Sequence, residues 1–196
     1  PRIGHLERAK QVYGYIKKLK EGAIRIRTAK PDYSHLEEVT YDWMYTVYGD
    51  VKEEIPADAP KPLGKSVITS SYYDANLYHC VVTGRAMTGI LHFVNQTPID
   101  WFSKKQNTVA TATFGSEFVA ARICVEQVTD LRTTLRYLGI PVEHKSYVFG
   151  DNKSVVTQST VPQSQLAKRH YALSYHRVRE AVASGVVSMH HISGKI

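Results

Sequence analysis

The chain has 196 residues, 43% of them hydrophobic, and a formal net charge of +7. That length supports one domain of ordinary span plus an appendage, and no apolar run approaches the roughly 18 residues of a membrane-spanning helix. Cys80 and Cys124 are the two cysteines and form no CxxC pair, which leaves no disulfide framework or zinc pattern and predicts two small core residues in a reducing compartment.

Charge is distributed in blocks. Residues 1–30 carry nine Lys or Arg against two acids, residues 31–60 one against eight, and residues 61–196 fifteen against eight. A basic N-terminal stretch and a basic C-terminal domain suit a polyanion such as nucleic acid, although solvated charge with no partner gives the same totals.

The opening residues, PRIGHLERAK, are charged rather than apolar, the expectation for a chain without a secretory signal that begins within a longer protein. Residues 5–20 pattern as a helix, with Leu6, Ala9, Val12 or Tyr13, Ile16 and Leu19 on one face, and Gly22 ends it. Residues 23–28, AIRIRT, alternate like a short strand. Residues 29–64 differ in kind: acidic, holding four of the eight prolines, with an aromatic island at Tyr41, Trp43, Tyr45 and Tyr48. They read as a linker or insertion, because proline fixes φ and removes backbone donors.

From residue 65 the pattern turns to strands: SVITSSYY, TGILHFVN and TPIDWFSK, rich in β-branched and aromatic residues. The last two are too close in sequence for a crossover and predict an antiparallel hairpin. A long helix follows over 114–138, with Phe114, Phe118, Ala121, Val125, Val128, Leu135 and Leu138 at helical spacing, stopped by Gly139 and Pro141. A short buried strand at 146–152, a brief helix KSVVTQS, a second long helix over 165–183 and a closing strand at 186–193 complete the chain. Strands joined through helices usually run parallel with right-handed crossovers, so the expectation is an α/β domain with a mixed five-stranded sheet flanked by helices.

Only eight acids lie beyond residue 60, and three occupy informative places: Asp74 at the end of the first strand, Glu117 in the long helix, Asp151 just past the fourth strand. If the first and fourth strands are neighbours, the two aspartates lie side by side with Glu117 above them. Such acids repel and raise one another's pKa unless divalent cations sit between them. Mg²⁺ or Mn²⁺ accepts oxygen ligands and keeps waters, and two such ions about 3.5–4 Å apart activate a water and steady the leaving oxygen of a phosphodiester. Each acid also has an ordinary explanation: a helix-start acid for Glu117, a turn for Asp74, an N-cap for Asp151.

The pieces Asp74-Ala75, GRAMTGILHF, IDWFSKKQNTVATATFGSEFVAA, GDNKSVV and KRHYALSYHRVREAVASGVV resemble the ribonuclease H domain of copia-type retrotransposon polyproteins. HLERAKQVYGYIKK resembles the helix that ends the reverse transcriptase part in that family. The resemblance implies a ribonuclease H-like domain over 65–196, C-terminally truncated, after a reverse transcriptase tail at 1–28. It implies that Asp74, Glu117 and Asp151 hold two Mg²⁺ or Mn²⁺ ions to cut RNA in an RNA/DNA hybrid. It implies a location in the cytoplasm or in retrotransposon particles, with no membrane and with the rest of the polyprotein as partner. Asn152 and Ser154 are then expected beside the site, with Lys104, Lys105, Gln106, Arg85, Arg169 and His170 as phosphate contacts, which position without reading sequence. The chain departs from the family pattern in reading Asp74-Ala75-Asn76 rather than Asp-Ala-Asp, in a longer acidic segment, and in lacking an acid just after the final strand up to Ile196. A connection-type module that binds the hybrid without cutting it, and an integrase-like or junction nuclease, share much of the same pattern.

Overall fold

The computed structural model describes residues 3–19, 21–37, 39–80, 82–110, 112–166 and 169–193. Helix α1 spans Ile3–Lys18, and every described side chain on it is exposed. The strands are β1 (Thr69–Cys80), β2 (Arg85–Val94), β3 (Thr97–Lys105), β4 (Ser146–Gly150) and β5 (Val187–His191). Between and after them come α2 (Thr113–Tyr137), α3 (Lys153–Thr160), a 3₁₀ turn at Arg169–Tyr171, and α4 (Ala172–Ala183).

The sheet has the order β3-β2-β1-β4-β5. β1, β2 and β3 are antiparallel neighbours, while β1–β4 and β4–β5 are parallel. This is the mixed five-stranded arrangement expected from strand spacing. Asn95, at φ 53, makes the tight β2–β3 turn, and its side-chain oxygen accepts from the Ile68 amide at 3.0 Å. Both long helices stop by the same device. Gly139 and Gly185 adopt left-handed φ values of 72 and 74, and the amides of Ile140 and Val186 reach back to Leu135 and Ala181.

Alternation along the strands sorts the core. Tyr73, Ala75, Ile90, Val148, Val187 and Met189 point to one face, where they meet Phe118, Ala121, Cys124, Val125 and Val128 of α2. The periodicity of α2 was fully legible except at its ends: Phe114 is half-buried and Leu138, just past the last turn, is exposed. The second long helix begins later than its pattern implies, at Ala172 after the 3₁₀ turn. Gln165 and Leu166 lie outside it, and residues 167 and 168 fall outside the described residues. The preceding loop is held instead by Arg179, whose guanidinium donates to the carbonyls of Gln158, Val161 and Pro162 at 2.6–2.8 Å.

Residues 23–28 form no strand. Arg27 instead exchanges both of its backbone groups with the Thr97 hydroxyl, at 2.7 and 3.0 Å. The described residues of 29–64 carry no helix or strand, yet they are packed along the domain as a strap. Tyr33 lies 4.5 Å from the Tyr147 ring and 5.4 Å from that of Phe149, on the sheet face away from the helices. Trp43 is buried with the Arg179 guanidinium 4.8 Å above its ring, and the Tyr48 hydroxyl is 2.7 Å from His176 Nδ1. Glu53 accepts paired hydrogen bonds from both Arg132 and Arg136 of α2. Trp43 and Tyr48 of the aromatic island therefore pack on α4, while Tyr45 is exposed. Of the two cysteines, only Cys124 is a core residue; Cys80 is partly exposed at the end of β1.

Candidate metal centre

The parallel pairing of Tyr72 with Phe149 puts Asp74 and Asp151 two residues further along adjacent strands, at the same level. Neighbouring strands lie about 4.8 Å apart, so two carboxylates there face each other closely. α2 crosses this end of the sheet and supplies Glu117. Oxygens of Asp74, Glu117 and Asp151 all lie within 4.8 Å of one another.

Their surroundings differ. Asp74 and Asp151 are exposed, whereas Glu117 is 2% exposed. Glu117 Oε1 accepts from the Ala75 amide at 3.2 Å, and Oε2 is buried with no partner. Glu117 thus bonds to β1 rather than to the start of its own helix, so a dipole-favoured terminal acid does not describe it. Among the described residues no Lys, Arg or His forms an ion pair with any of the three acids. Burial, and then the charges of Asp74 and Asp151, push the Glu117 carboxyl up to about 8, against the single Ala75 hydrogen bond. Uncompensated acids at this spacing fit divalent cations held through oxygen, and an orphaned buried carboxylate oxygen fits the same purpose.

Asp151 is not the cap of α3. Asn152 is, its side-chain oxygen accepting from the amides of Ser154 and Val155 at 3.1 and 3.2 Å. The cap thereby ties the loop after β4 and leaves the Asp151 carboxylate facing the cluster, but it also commits one face of the Asn152 side chain to structure. Ser154, exposed, lies on the first turn of α3.

Lys104 and Lys105 are exposed at the end of β3. Two rungs of the sheet align Lys104 with Thr88 and Ala75, roughly 10 Å across the strands from the residue following Asp74. They share a groove of ≈ 540 Å³ with Gln106, Arg122 and His170. Gln106 is buried, and its amide nitrogen donates to Thr88 Oγ1 and the Ser116 carbonyl at 3.0 and 2.9 Å. It joins the strand end to α2, a role the sequence did not indicate. Arg169 and His170 are exposed on the 3₁₀ turn, and Arg85 is exposed at the start of β2. Beside it, hydrogen bonds from Thr83 and then Lys105 bring the Cys80 thiol down to about 7.

Sequence reasoning missed three neighbours of the acids. His191 Nε2 donates to the Asp151 carbonyl at 3.0 Å. Tyr73 is buried below the cluster, and Gly150 leaves the space its ring fills, since a Cβ there would overlap that ring. A glycine just before an acid at a strand end was the one available signal.

Comparison with solved structures places this geometry. The N-terminal RNase H domain of a Mycobacterium tuberculosis protein superposes with a TM-score of 0.51 at 12% identity, over 66% of this chain and 84% of that one. LC11-RNase H1, solved in complex with an RNA/DNA hybrid, gives 0.51 at 14% identity over 65% and 86%. The fold is ribonuclease H-like. In sequence, the chain is 25% identical over 130 residues to the Pol polyprotein of transposon RE2 from Arabidopsis thaliana, covering 66% of this chain. The Pol polyprotein of transposon TNT 1-94 from Nicotiana tabacum is 29% identical over 120 residues, 61% of the chain. The chain spans only 9% of the length of either polyprotein. No protein-family model matches it. The domain is therefore related at low to moderate identity to copia-type Pol polyproteins, and no described helix is long and apolar enough to cross a membrane.

Proposed function

We propose that this domain hydrolyses the RNA strand of RNA/DNA hybrids as part of a retrotransposon polyprotein, using two Mg²⁺ or Mn²⁺ ions. The observation that supports it most is the convergence of Asp74, Glu117 and Asp151 from three separate elements, with oxygens within 4.8 Å and no ion pair to a cationic side chain among the described residues. Bound divalent ions would supply the charge that activates a water and stabilises the leaving oxygen. The chain's own part is to hold the ligands. β1 and β4 fix the two aspartates at one level, α2 brings Glu117 over them, and Phe118 behind it keeps water from the inner side of the site.

Lys104, Lys105 and His170 line that groove and suit backbone phosphates, and Arg85, Arg169 and Ser154 are exposed on β2, the 3₁₀ turn and α3. Such contacts favour an A-form-like hybrid through groove shape and 2′-hydroxyls rather than base identity. Residues 1–28 are read as the tail of the polymerase part. The exposed apolar residues Leu6, Val12 and Ile16 of α1 suit packing on that part of the polyprotein.

The test is cleavage of a labelled hybrid with Mg²⁺ or Mn²⁺, beside duplex DNA and a four-way junction. The expected result is cutting of the RNA strand alone, lost by at least about 100-fold in Asp151→Asn, a change of about 2.7 kcal/mol in barrier. Salt-sensitive hybrid binding without cutting in either protein supports a binding module instead, and cutting of the DNA substrates supports an integrase-like enzyme.

A further inference from the structure

Tyr73 carries a polar group that neither the core nor the proposed hydrolysis uses. It immediately precedes Asp74 on β1, and its 4% exposed side chain belongs to the core cluster shared with α2. Its ring lies over Gly150, the residue immediately before Asp151, where any Cβ would overlap it. One side chain thus fixes the contact between the two strands that carry the aspartates.

The hydroxyl end has a second role to fill. Tyr73 Oη is buried with no hydrogen-bond partner, and so is Glu117 Oε2. One is a donor and the other an acceptor. Burial and then the nearby charge of Glu117 push the Tyr73 phenol up, which sets the two groups close together in the core. A buried donor and a buried acceptor left unpaired each carry a desolvation penalty, which pairing removes. The terminal torsion of a glutamate is soft, so turning its carboxylate costs little.

We propose that Tyr73 is the positioning residue of this centre: its ring seated on Gly150 sets the spacing of Asp74 and Asp151, and its hydroxyl donates to the free oxygen of Glu117. The Glu117 carboxylate is then held between the Ala75 amide and the Tyr73 phenol, with its orientation toward the cluster set from below. This rests on the hydrolytic reading for its purpose but not for its geometry.

The experiment combines a metal-free unfolding cycle with cation binding. Tyr73→Phe, Glu117→Met and the double variant are unfolded in urea with EDTA, and Mn²⁺ affinity is measured by calorimetry for the wild type and Tyr73→Phe. The expected result is a coupling of about tenfold in the unfolding constant between the two positions, with Mn²⁺ affinity lowered about five- to tenfold in Tyr73→Phe. Additive unfolding effects, or unchanged Mn²⁺ affinity in Tyr73→Phe, overturn the role of Tyr73 while leaving the hydrolytic reading standing. A wild-type protein that binds no Mn²⁺ overturns the hydrolytic reading, and with it the role given to Tyr73, even where the coupling is present.

Discussion

Two glutamates held against opposite halves of α2 meet opposite fates. Glu53, from the strap, accepts four hydrogen bonds from Arg132 and Arg136 at 2.7–2.8 Å. Glu117, on the helix itself, has one hydrogen bond and two acidic neighbours. Burial alone would raise the Glu53 carboxyl, but the hydrogen bonds and charges of Arg132 and then Arg136 outweigh it and bring it down to about 2. For Glu117 burial and neighbouring acids act together and carry it to about 8. One end of the helix therefore has its charge satisfied within the chain and stabilises the fold. The other keeps a charge that only something from outside can satisfy, the condition of a site.

The comparison breaks most sharply if Glu53 is removed. Arg132 is 3% exposed, so Glu53→Ala leaves a buried guanidinium with only the His144 carbonyl and the Ser146 hydroxyl. A loss of about 3–5 kcal/mol is expected in urea unfolding, because an orphaned buried charge costs more than the pair contributes. Hybrid cleavage per folded molecule should stay within about twofold of wild type, since Glu53 bonds Arg132 and Arg136, in the opposite half of α2 from Glu117. A comparable loss of activity without unfolding would show that the two halves of α2 are not separable.

Acidity tests the same contrast with both signs. The Glu53 pKa is lowered on folding from its ordinary 4.5, so its contribution is full above about pH 4.5 and is lost as pH falls toward 2. The Glu117 pKa is raised on folding, so folding favours its protonated form. Its contribution is fully present below about pH 4.5 and is lost as pH rises through 8. In EDTA, unfolding free energy should fall by about 2–4 kcal/mol between pH 5 and pH 9. Glu117→Gln should flatten that slope and Glu53→Gln should not. Millimolar Mn²⁺ should restore stability at pH 8 by about 1–3 kcal/mol through selective binding to the folded state, read as a rise in melting temperature. A slope that survives Glu117→Gln would place the titration elsewhere.

How much of this contrast could be read from sequence follows the range of the forces involved. Strand alternation and helical spacing are local, so the sheet, α2 and the glycine stop at Gly139 were legible. The three acids were legible as a set because each lies on or next to an element whose neighbours the topology rules constrain, although β1 runs on past Asp74 to Cys80 instead of ending there. The strap was not. Proline and acidity mark residues 29–64 as irregular, but the pairing of Glu53 with Arg132 spans 79 residues and leaves no periodic trace. AIRIRT alternates as a strand would, yet its backbone finds the Thr97 hydroxyl rather than a strand partner. Gln106 was expected among the phosphate contacts through the family resemblance and its place between β3 and α2, whereas in the fold it is buried and its nitrogen bonds Thr88 and Ser116.

The finest test lies where the strap crosses α4. Tyr48 donates or accepts at His176 Nδ1 over 2.7 Å, on a part-exposed surface beside the Arg179 guanidinium. Tyr48→Phe keeps the ring against Trp43 and Arg179 and deletes the hydroxyl alone. A single hydrogen bond at such a place is worth about 0.5–1.5 kcal/mol, and both partners can turn to water once it is gone, which favours the lower end. Trp43→Ala, by contrast, removes a buried indole and the guanidinium's aromatic face together, and should cost about 3–5 kcal/mol. Measured side by side in urea, a large gap between the two variants means that the strap is held by its aromatic and ionic anchors, with the Tyr48 contact only trimming its fit. Equal losses would mean that the hydroxyl is an anchor in its own right, and that the satisfied side of the molecule depends on a neutral bond as much as on Glu53.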